Sequence, residues 1–267
     1  MKIDLEGEME TLLIPLYGKA KMSEDGIFRD TFAQRAVTRL NFDFSKLKIQ
    51  KKTQVMLAFR AEYMDLYAKE FLGRHDESIV LHLGCGLDSR YFRLGKPKAL
   101  WYELDFPEVI EIKRRLYPPE RGYSYIPSTV NDHSWLDSVS WKGESILIIA
   151  EGLFMYLTEK EIRELMNVLK DRFGSYTMIF DVISSLTVKY SKHHPSIKRT
   201  GAHLLWGIDN PKDMEEYLDG AKYLRTIYMT ENPNIRKLSP YYRMMYRLAD
   251  IFKPAKNAHK IVIMEIT

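Results

Sequence analysis

The spacing of apolar residues changes its period once along the chain, near residue 78. Before that point apolar residues recur at helical intervals and no strand pattern occurs. Leu12, Leu13, Leu16 and Tyr17 predict a first helix, with Pro15 interrupting the stripe. Asp30, Phe32, Ala36, Val37 and Leu40 predict a second. Val55, Met56, Phe59, Tyr63 and Leu66 predict a third, with Thr53 placed to cap its start. Arg60 lies beside that last stripe, where an arginine ordinarily lays its stem on apolar neighbours and keeps its charge in water.

From Ile79 onward the pattern alternates between strands and helices. Residues 79–83 and 99–104 read as apolar runs of the kind buried on both faces of a parallel sheet, and 145–150 and 176–182 as further buried strands. A shorter run, 123–126, fits the same series. Pro107 opens a helix carrying Val109, Ile110, Ile112 and Leu116, which Pro118 and Pro119 end. Thr158 and Glu161 form a capping box ahead of Ile162, Leu165, Met166 and Leu169. Residues 183–220 break the rhythm. They combine His193, His194, Lys198, Arg199 and His203 with Leu204, Leu205 and Trp206, and they follow the carboxyl end of a central strand, where open α/β sheets bind ligands. An inserted cap over a site is expected there. Runs at 223–228 and 260–266 predict the last strands of a seven-stranded sheet, with a helix around 241–252 between them. The expected organisation is one α/β domain: N-terminal helices over 1–75, a core over 76–182, the cap over 183–220, and C-terminal strands and helix over 221–267.

Composition narrows the setting. The 267 residues suffice for one sizeable domain. Forty basic against 36 acidic residues give a net charge of +4, too balanced to point to nucleic acid. No apolar run is long enough to span a bilayer, and the first residues lack a basic-then-apolar leader pattern. Cys85 is the one cysteine, so no internal disulfide forms. A cytoplasmic protein without nucleic-acid or membrane partner is expected; the oligomeric state is not legible.

The candidate chemistry sits in residues 78–105, SIVLHLGCGLDSRYFRLGKPKALWYELD. Strand, Gly84-Cys85-Gly86, helix, second strand and Asp105 follow the grammar of a nucleotide-type cofactor site. The third glycine of a dinucleotide fingerprint is replaced by Ser89, and Asp88, expected in the first turn of the helix, would oppose a pyrophosphate. Asp88, Glu103, Asp105 and Glu151 all fall at or just past strand ends. Such acids suit S-adenosylmethionine, which carries a sulfonium, an ammonium and a ribose diol and has no phosphate. Asp105 would accept both ribose hydroxyls, and the glycines would let the backbone approach closely. Cys85 reads as a small packing residue. No metal site is expected.

Three motifs in order, VLHLGCGLDSRYFRL (80–94), WYELDFPEVIEIKRRL (101–116) and AEGLFMYLTEKEI (150–162), with a weaker WGIDNPKDMEEYL (206–218), resemble the leucine carboxyl methyltransferase family. The likeness is greatest to its bacterial and archaeal branch of tetracenomycin-type polyketide carboxyl methyltransferases. The resemblance implies a class I methyltransferase fold, Rossmann-like, with one antiparallel strand in a seven-stranded sheet. It implies S-adenosylmethionine-dependent O-methylation of a carboxylate on a small molecule. By the same resemblance Gly84 and Gly86, with Cys85 between them, line the methionine portion of the cofactor. Asp105 takes the ribose, Glu151 the methionine ammonium, and Arg60 the methionine carboxylate, with Lys19 as a second carboxylate partner. Thr129 and Val130 fall where the family meets the adenine edge, although the family often has an Asp-Leu pair there. In the cap, Tyr190, Arg199 and His203 are the acceptor-side candidates. The alternatives are a protein C-terminal carboxyl methyltransferase, an NAD-dependent oxidoreductase, and a cofactor-binding protein without catalysis.

Overall fold

The apolar runs form the centre of the molecule. A computed structural model describes residues 12–191 and 203–267. Five parallel strands, β1 (Ser78–Leu83), β2 (Leu100–Asp105), β3 (Tyr123–Pro127), β4 (Ser145–Ala150) and β5 (Tyr176–Ile183), join two further strands, β6 (Ala221–Tyr228) and β7 (His259–Ile266). The sheet order is β3-β2-β1-β4-β5-β7-β6, and β7 pairs antiparallel with both β5 and β6. From β1 the chain winds outward through β2 and β3, then returns to β4 on the other side of β1. Such a switch point opens a crevice at the carboxyl ends of β1 and β4. The register sets Leu83 opposite both Leu104 and Ala150. Gly84, Asp105 and Glu151 therefore leave three neighbouring strands at one level.

Helices cover both faces. α6 (Glu159–Phe173) starts at the expected capping box and buries Ile162, Leu165, Met166 and Leu169 against Ile79, Leu81, Ile146 and Ile148. On the other face, α3 (Lys51–Arg74) packs against Val80, Leu147, Ile149 and Ile179. Its start differs from expectation: Gln50 precedes the first turn and Thr53 lies inside it. Its buried face also differs. Leu66 is 53% exposed, and burial runs instead through Val55, Ala58, Phe59, Ala61, Met64, Ala68 and Phe71. The alanines explain the shift. They carry little apolar signal in sequence, yet they let α3 lie close to its neighbours.

α1 (Leu13–Glu24) and α2 (Thr31–Arg39) form a third apolar cluster with α5 (Pro107–Leu116). Pro15 falls in the first turn of α1, where backbone N–H groups have no helical partner anyway. Asp30 caps α2 by accepting from the Ala33 N–H at 2.8 Å. The helix expected after the glycine turn is a single turn, α4 (Arg90–Arg93), so Asp88 lies just outside it, before the Ser89 cap. After β5 come α7 (Ser185–Ser191) and, from 203, an extended segment tied to the core. The Leu205 N–H donates to the Met155 carbonyl and the Ile208 N–H to the Ile183 carbonyl, both at 2.8 Å. Trp206 is buried beside Phe154. α8 (Pro240–Ile251) sets Tyr246 against Phe59. Among the described residues no helix is long and apolar enough to cross a membrane.

Candidate functional site

A cleft of about 900 Å3 opens at the switch point. Lys19, Arg60, Gly84, Cys85, Gly86, Asp105, Thr129, Val130 and Glu151 all line it, as does His203. Tyr190 is 58% exposed on α7 and does not contribute to the lining, and Arg199 lies outside the described residues with His193, His194 and Lys198. Leu205 lines the mouth of the cleft, whereas Trp206 packs into the core.

The glycine loop shapes one wall. Gly84 and Gly86 both have left-handed backbones, φ 59° and 50°, and a Cβ on Gly84 would sit 3.0 Å from Leu153 Cδ1. Asp105 holds the loop from the next strand. Its Oδ2 accepts the Gly86 N–H at 2.7 Å and its Oδ1 the Phe106 N–H at 2.8 Å. A carboxylate has about four acceptor positions. Each oxygen therefore keeps one toward the cleft, enough for a vicinal diol. Burial raises the Asp105 carboxyl, and the two backbone N–H groups oppose that rise. Cys85 is buried and burial pushes its thiol well up, as suits a packing residue.

A buried network of charges lines the same cleft. Arg60 donates from Nε to Glu151 Oε1 at 3.1 Å and from Nη1 to Asp181 Oδ2 at 2.9 Å, and its Nη2 is 3.1 Å from Glu151 Oε1. Those contacts draw on three of the five guanidinium N–H groups. Asp181 also accepts the Gly152 N–H and faces His259 Nε2, both at 2.5 Å. Lys19 Nζ is 2.8 Å from Asp88 Oδ1. Arg93 bridges Asp30, Asp65 and Asp88, and Arg90 bridges Asp65 and Glu151. Burial alone would raise Glu151, but Arg60 and Arg90 outweigh it and hold the carboxyl at about 2. Asp88 follows the same logic: Arg93, Lys19 and Arg90 overcome its burial and keep it far below the carboxylate range. Its charge is thus neutralised within the protein. The charge repulsion expected of Asp88 is weaker than its sequence position implies.

Beneath the glycine loop a second polar chain runs inward. His82 Nε2 faces Arg90 Nη1 at 3.2 Å, and Nδ1 faces Glu103 Oε1 at 3.4 Å. Glu103 also receives Lys113 Nζ and the Tyr123 hydroxyl, each at 2.6 Å. Lys113 reaches the Cys85 carbonyl at 3.4 Å. Sequence reasoning missed Asp181, Arg90, Arg93 and His82. One signal was available for Asp181, an acid inside the apolar run YTMIFDVI, where a charge needs a partner.

A family model described as leucine carboxyl methyltransferase matches residues 16–170, more than half of the chain. The chain belongs to that family. It is 34% identical over 241 residues to the tetracenomycin polyketide synthesis O-methyltransferase TcmP of Streptomyces glaucescens, covering 89% of each protein. It is 29% identical over 253 residues to the S-adenosyl-L-methionine-dependent methyltransferase dpfgK of Gibberella zeae, covering 85% of this chain and 84% of that one. Among solved structures, the fold resembles a DUF574 family protein from Streptomyces avermitilis, with a TM-score of 0.57 at 9% identity over 80% of this chain and 84% of that one. It also resembles an S-adenosylmethionine-dependent methyltransferase from Anabaena variabilis, with a TM-score of 0.52 at 13% identity over 78% of this chain and 84% of that one. The fold is the class I methyltransferase fold, and the protein is an S-adenosylmethionine-dependent methyltransferase.

The residues present fit that cofactor on three observations. Asp105 keeps acceptor positions toward the cleft. Arg60 keeps two N–H groups beyond its ion pairs among the described residues. Asp88 Oδ2 is buried without a hydrogen-bond donor, 3.3 Å from Arg90 Nη2. Carboxylate acceptor positions, a guanidinium donor pair and one buried carboxylate oxygen without a hydrogen-bond donor suit a ligand carrying hydroxyls, a carboxylate and an ammonium.

Proposed function

We propose that the enzyme transfers the methyl group to a carboxylate of a small molecule, with the cofactor bound along the glycine loop. In that placement Asp105 takes the ribose hydroxyls, Arg60 and Lys19 the methionine carboxylate, Glu151 the ammonium, and Thr129 and Val130 the adenine edge. The bound cofactor supplies an activated methyl group on a sulfonium. The chain's residues must align the acceptor oxygen and exclude water.

The state of the cleft's titratable groups carries the choice of acceptor. Methylation of a phenol needs a general base whose pKa lies near neutrality. Glu151 and Asp88 are held low by their cations, Glu161 is engaged by Thr158 and Asn131, and Asp105, though raised by burial, has both oxygens bound to the Gly86 and Phe106 N–H groups. Both ring nitrogens of His82 face partners. Among the described lining residues that leaves His203 as the one remaining imidazole, exposed at the mouth. A carboxylate acceptor is already ionised at neutral pH and needs no base, only a donor to hold it. His203 fits that holding role, and Leu205, Met155 and Tyr156 offer apolar surface beside it. A cleft of about 900 Å3 has the size of a small-molecule site.

The test is a labelled-methyl assay on matched aromatic and aliphatic acids, the corresponding phenols, and a peptide with a free C-terminal carboxylate. Base-labile ester from the small acids is expected. Base-stable ether as the main product, or turnover of the peptide alone, overturns the proposal. His203→Ala should raise the KM for the acid with little change in kcat; a collapse of kcat would instead mark His203 as a base.

A further inference from the structure

Among the described buried polar groups without a role so far, His82 is the one that touches Arg90 from the sheet. His82 sits in β1, two residues before the glycine loop, and is 1% exposed. We infer that neutral His82 is a positioning residue: it holds Arg90, and through Arg90 the Glu151 carboxylate, in the orientation that receives the methionine end of the cofactor. The inference rests on the assignment of Glu151 to that end.

The tautomer follows from its neighbours. A guanidinium only donates. Arg90 Nη1, 3.2 Å away, therefore requires Nε2 to accept, and the ring proton belongs on Nδ1, facing Glu103 Oε1. Glu103 cannot turn away, because Lys113 and Tyr123 hold its other oxygen. His82 is thus anchored from β2 and presents a fixed acceptor to α4. Arg90 has no exposure and divides its donors among three directions: Nε to Asp65 at 2.8 Å, Nη1 to His82, and Nη2 to Glu151, with Asp88 Oδ2 also near Nη2. Removing the His82 acceptor leaves a buried charged donor unsatisfied and takes away one of the contacts that fix the guanidinium, so Arg90 holds its side of the Glu151 carboxylate less tightly while Arg60 keeps the other.

A proton on Nε2 would have a related effect, since two cations would then face each other. The charged groups around the ring are Arg90 from α4, Glu103 from β2, Lys113 from α5 and Asp88 from the glycine loop. Burial dominates and pushes the imidazole below its ordinary value, with Arg90 and Lys113 adding to the fall and Glu103 opposing it. The ring is therefore neutral at physiological pH and takes up a proton only in acid.

Two polar replacements separate positioning from packing. Gln reaches far enough to place its carbonyl near the Nε2 position; Asn does not. Titration calorimetry of the full chain with S-adenosylmethionine should show His82→Gln within about threefold of the wild type and His82→Asn about tenfold weaker, the cost of one unsatisfied buried donor. As pH falls below the ordinary imidazole value of about 6.5, the wild type should lose affinity more steeply than His82→Gln, which has no ring to protonate. Asp105 contributes equally to both profiles and cancels in the comparison. Equal affinities for Asn and wild type, or identical pH profiles for Gln and wild type, overturn the inference. Should His82→Asn not fold, the two pH profiles decide alone. Glu151→Gln tests the underlying assignment separately: if it binds like the wild type, the Glu151 assignment fails, whereas weak binding by Glu151→Gln with unaltered His82→Asn refutes only the role of His82.

Discussion

Asp105 and Glu151 are carboxylates at equivalent strand ends, yet their surroundings drive them apart. Asp105 is held by two neutral backbone donors and raised by burial, while Glu151 is pinned by Arg60 and Arg90 and held at about 2. Asp105→Asn would turn one acceptor into an NH2 facing a backbone N–H. It should weaken S-adenosylmethionine binding by about tenfold or more, read by calorimetry, because a lost acceptor toward the ligand adds to a strained loop. Arg60→Ala is a poor probe of the ligand, since it takes from the buried carboxylates Glu151 and Asp181 the cation they share, leaving Glu151 to Arg90 and Asp181 to His259 and the Gly152 N–H, and should cost about 3 kcal/mol of stability in urea denaturation. Glu151 also sets an acid limit. Its folded value lies below its ordinary 4.5, so its contribution to stability is complete above about 4.5 and is lost as pH falls toward about 2. Asp181, likewise lowered by Arg60 and His259 against its burial, adds to the same window. Melting temperature against pH should fall there in the wild type and more gently in Glu151→Gln. Of these residues, Gly84, Gly86, Asp105 and Glu151 were legible because strand ends and turns are local signals. The partners of Arg60 and Arg90 were not, because Asp181 lies 121 residues from Arg60 and Glu151 lies 61 from Arg90.

Elements were legible in proportion to how much of their burial is apolar. β1, β2, β4 and β5 match the expected buried strands closely, and the capping box of α6 is present on both sides, with Glu161 Oε2 accepting the Thr158 N–H at 2.7 Å. α3 was displaced in reading because its buried face includes three alanines and two charges, Arg60 and Asp65. α4 was overestimated because Gly95 and Pro97 stop it after one turn. The segment after residue 203 has its own critical contact. A Cβ on Gly207 would meet Val188 Cγ2 at 2.7 Å and the Ile183 and Ser184 carbonyls at 2.8 and 3.0 Å, two of the three being backbone atoms that cannot give way. Gly207→Ala should lift this segment from the end of β5, disturbing Leu205 and His203 while leaving the glycine loop in place. Acceptor turnover should fall with cofactor affinity preserved, which steady-state kinetics and calorimetry on the same preparation would show.

At the scale of the molecule, seven strands and their alternation with helices were legible, but their spatial order was not. Nothing in the local pattern of β7 states that it enters between β5 and β6, where it makes eight residue pairs with β5. The placement matters for the site, since His259 at the start of β7 closes the polar chain from Arg60 through Asp181. A chain ending at residue 256 should therefore lose the cooperative urea transition and become protease-sensitive throughout, rather than shedding one edge of the sheet. The same interleaving sets a timetable for a chain made from its N-terminus. β1 to β5 and the cofactor loop leave the ribosome early, but the open edge of β5 must wait for some eighty further residues before β7 arrives, and Asp181, already in reach of Arg60 and the Gly152 N–H, waits as long for His259. Through that interval the nascent protein carries an unfinished sheet edge, a surface that favours pairing with other chains. Demand for chaperones should be greatest in that window of synthesis, well after the apparent core has been translated.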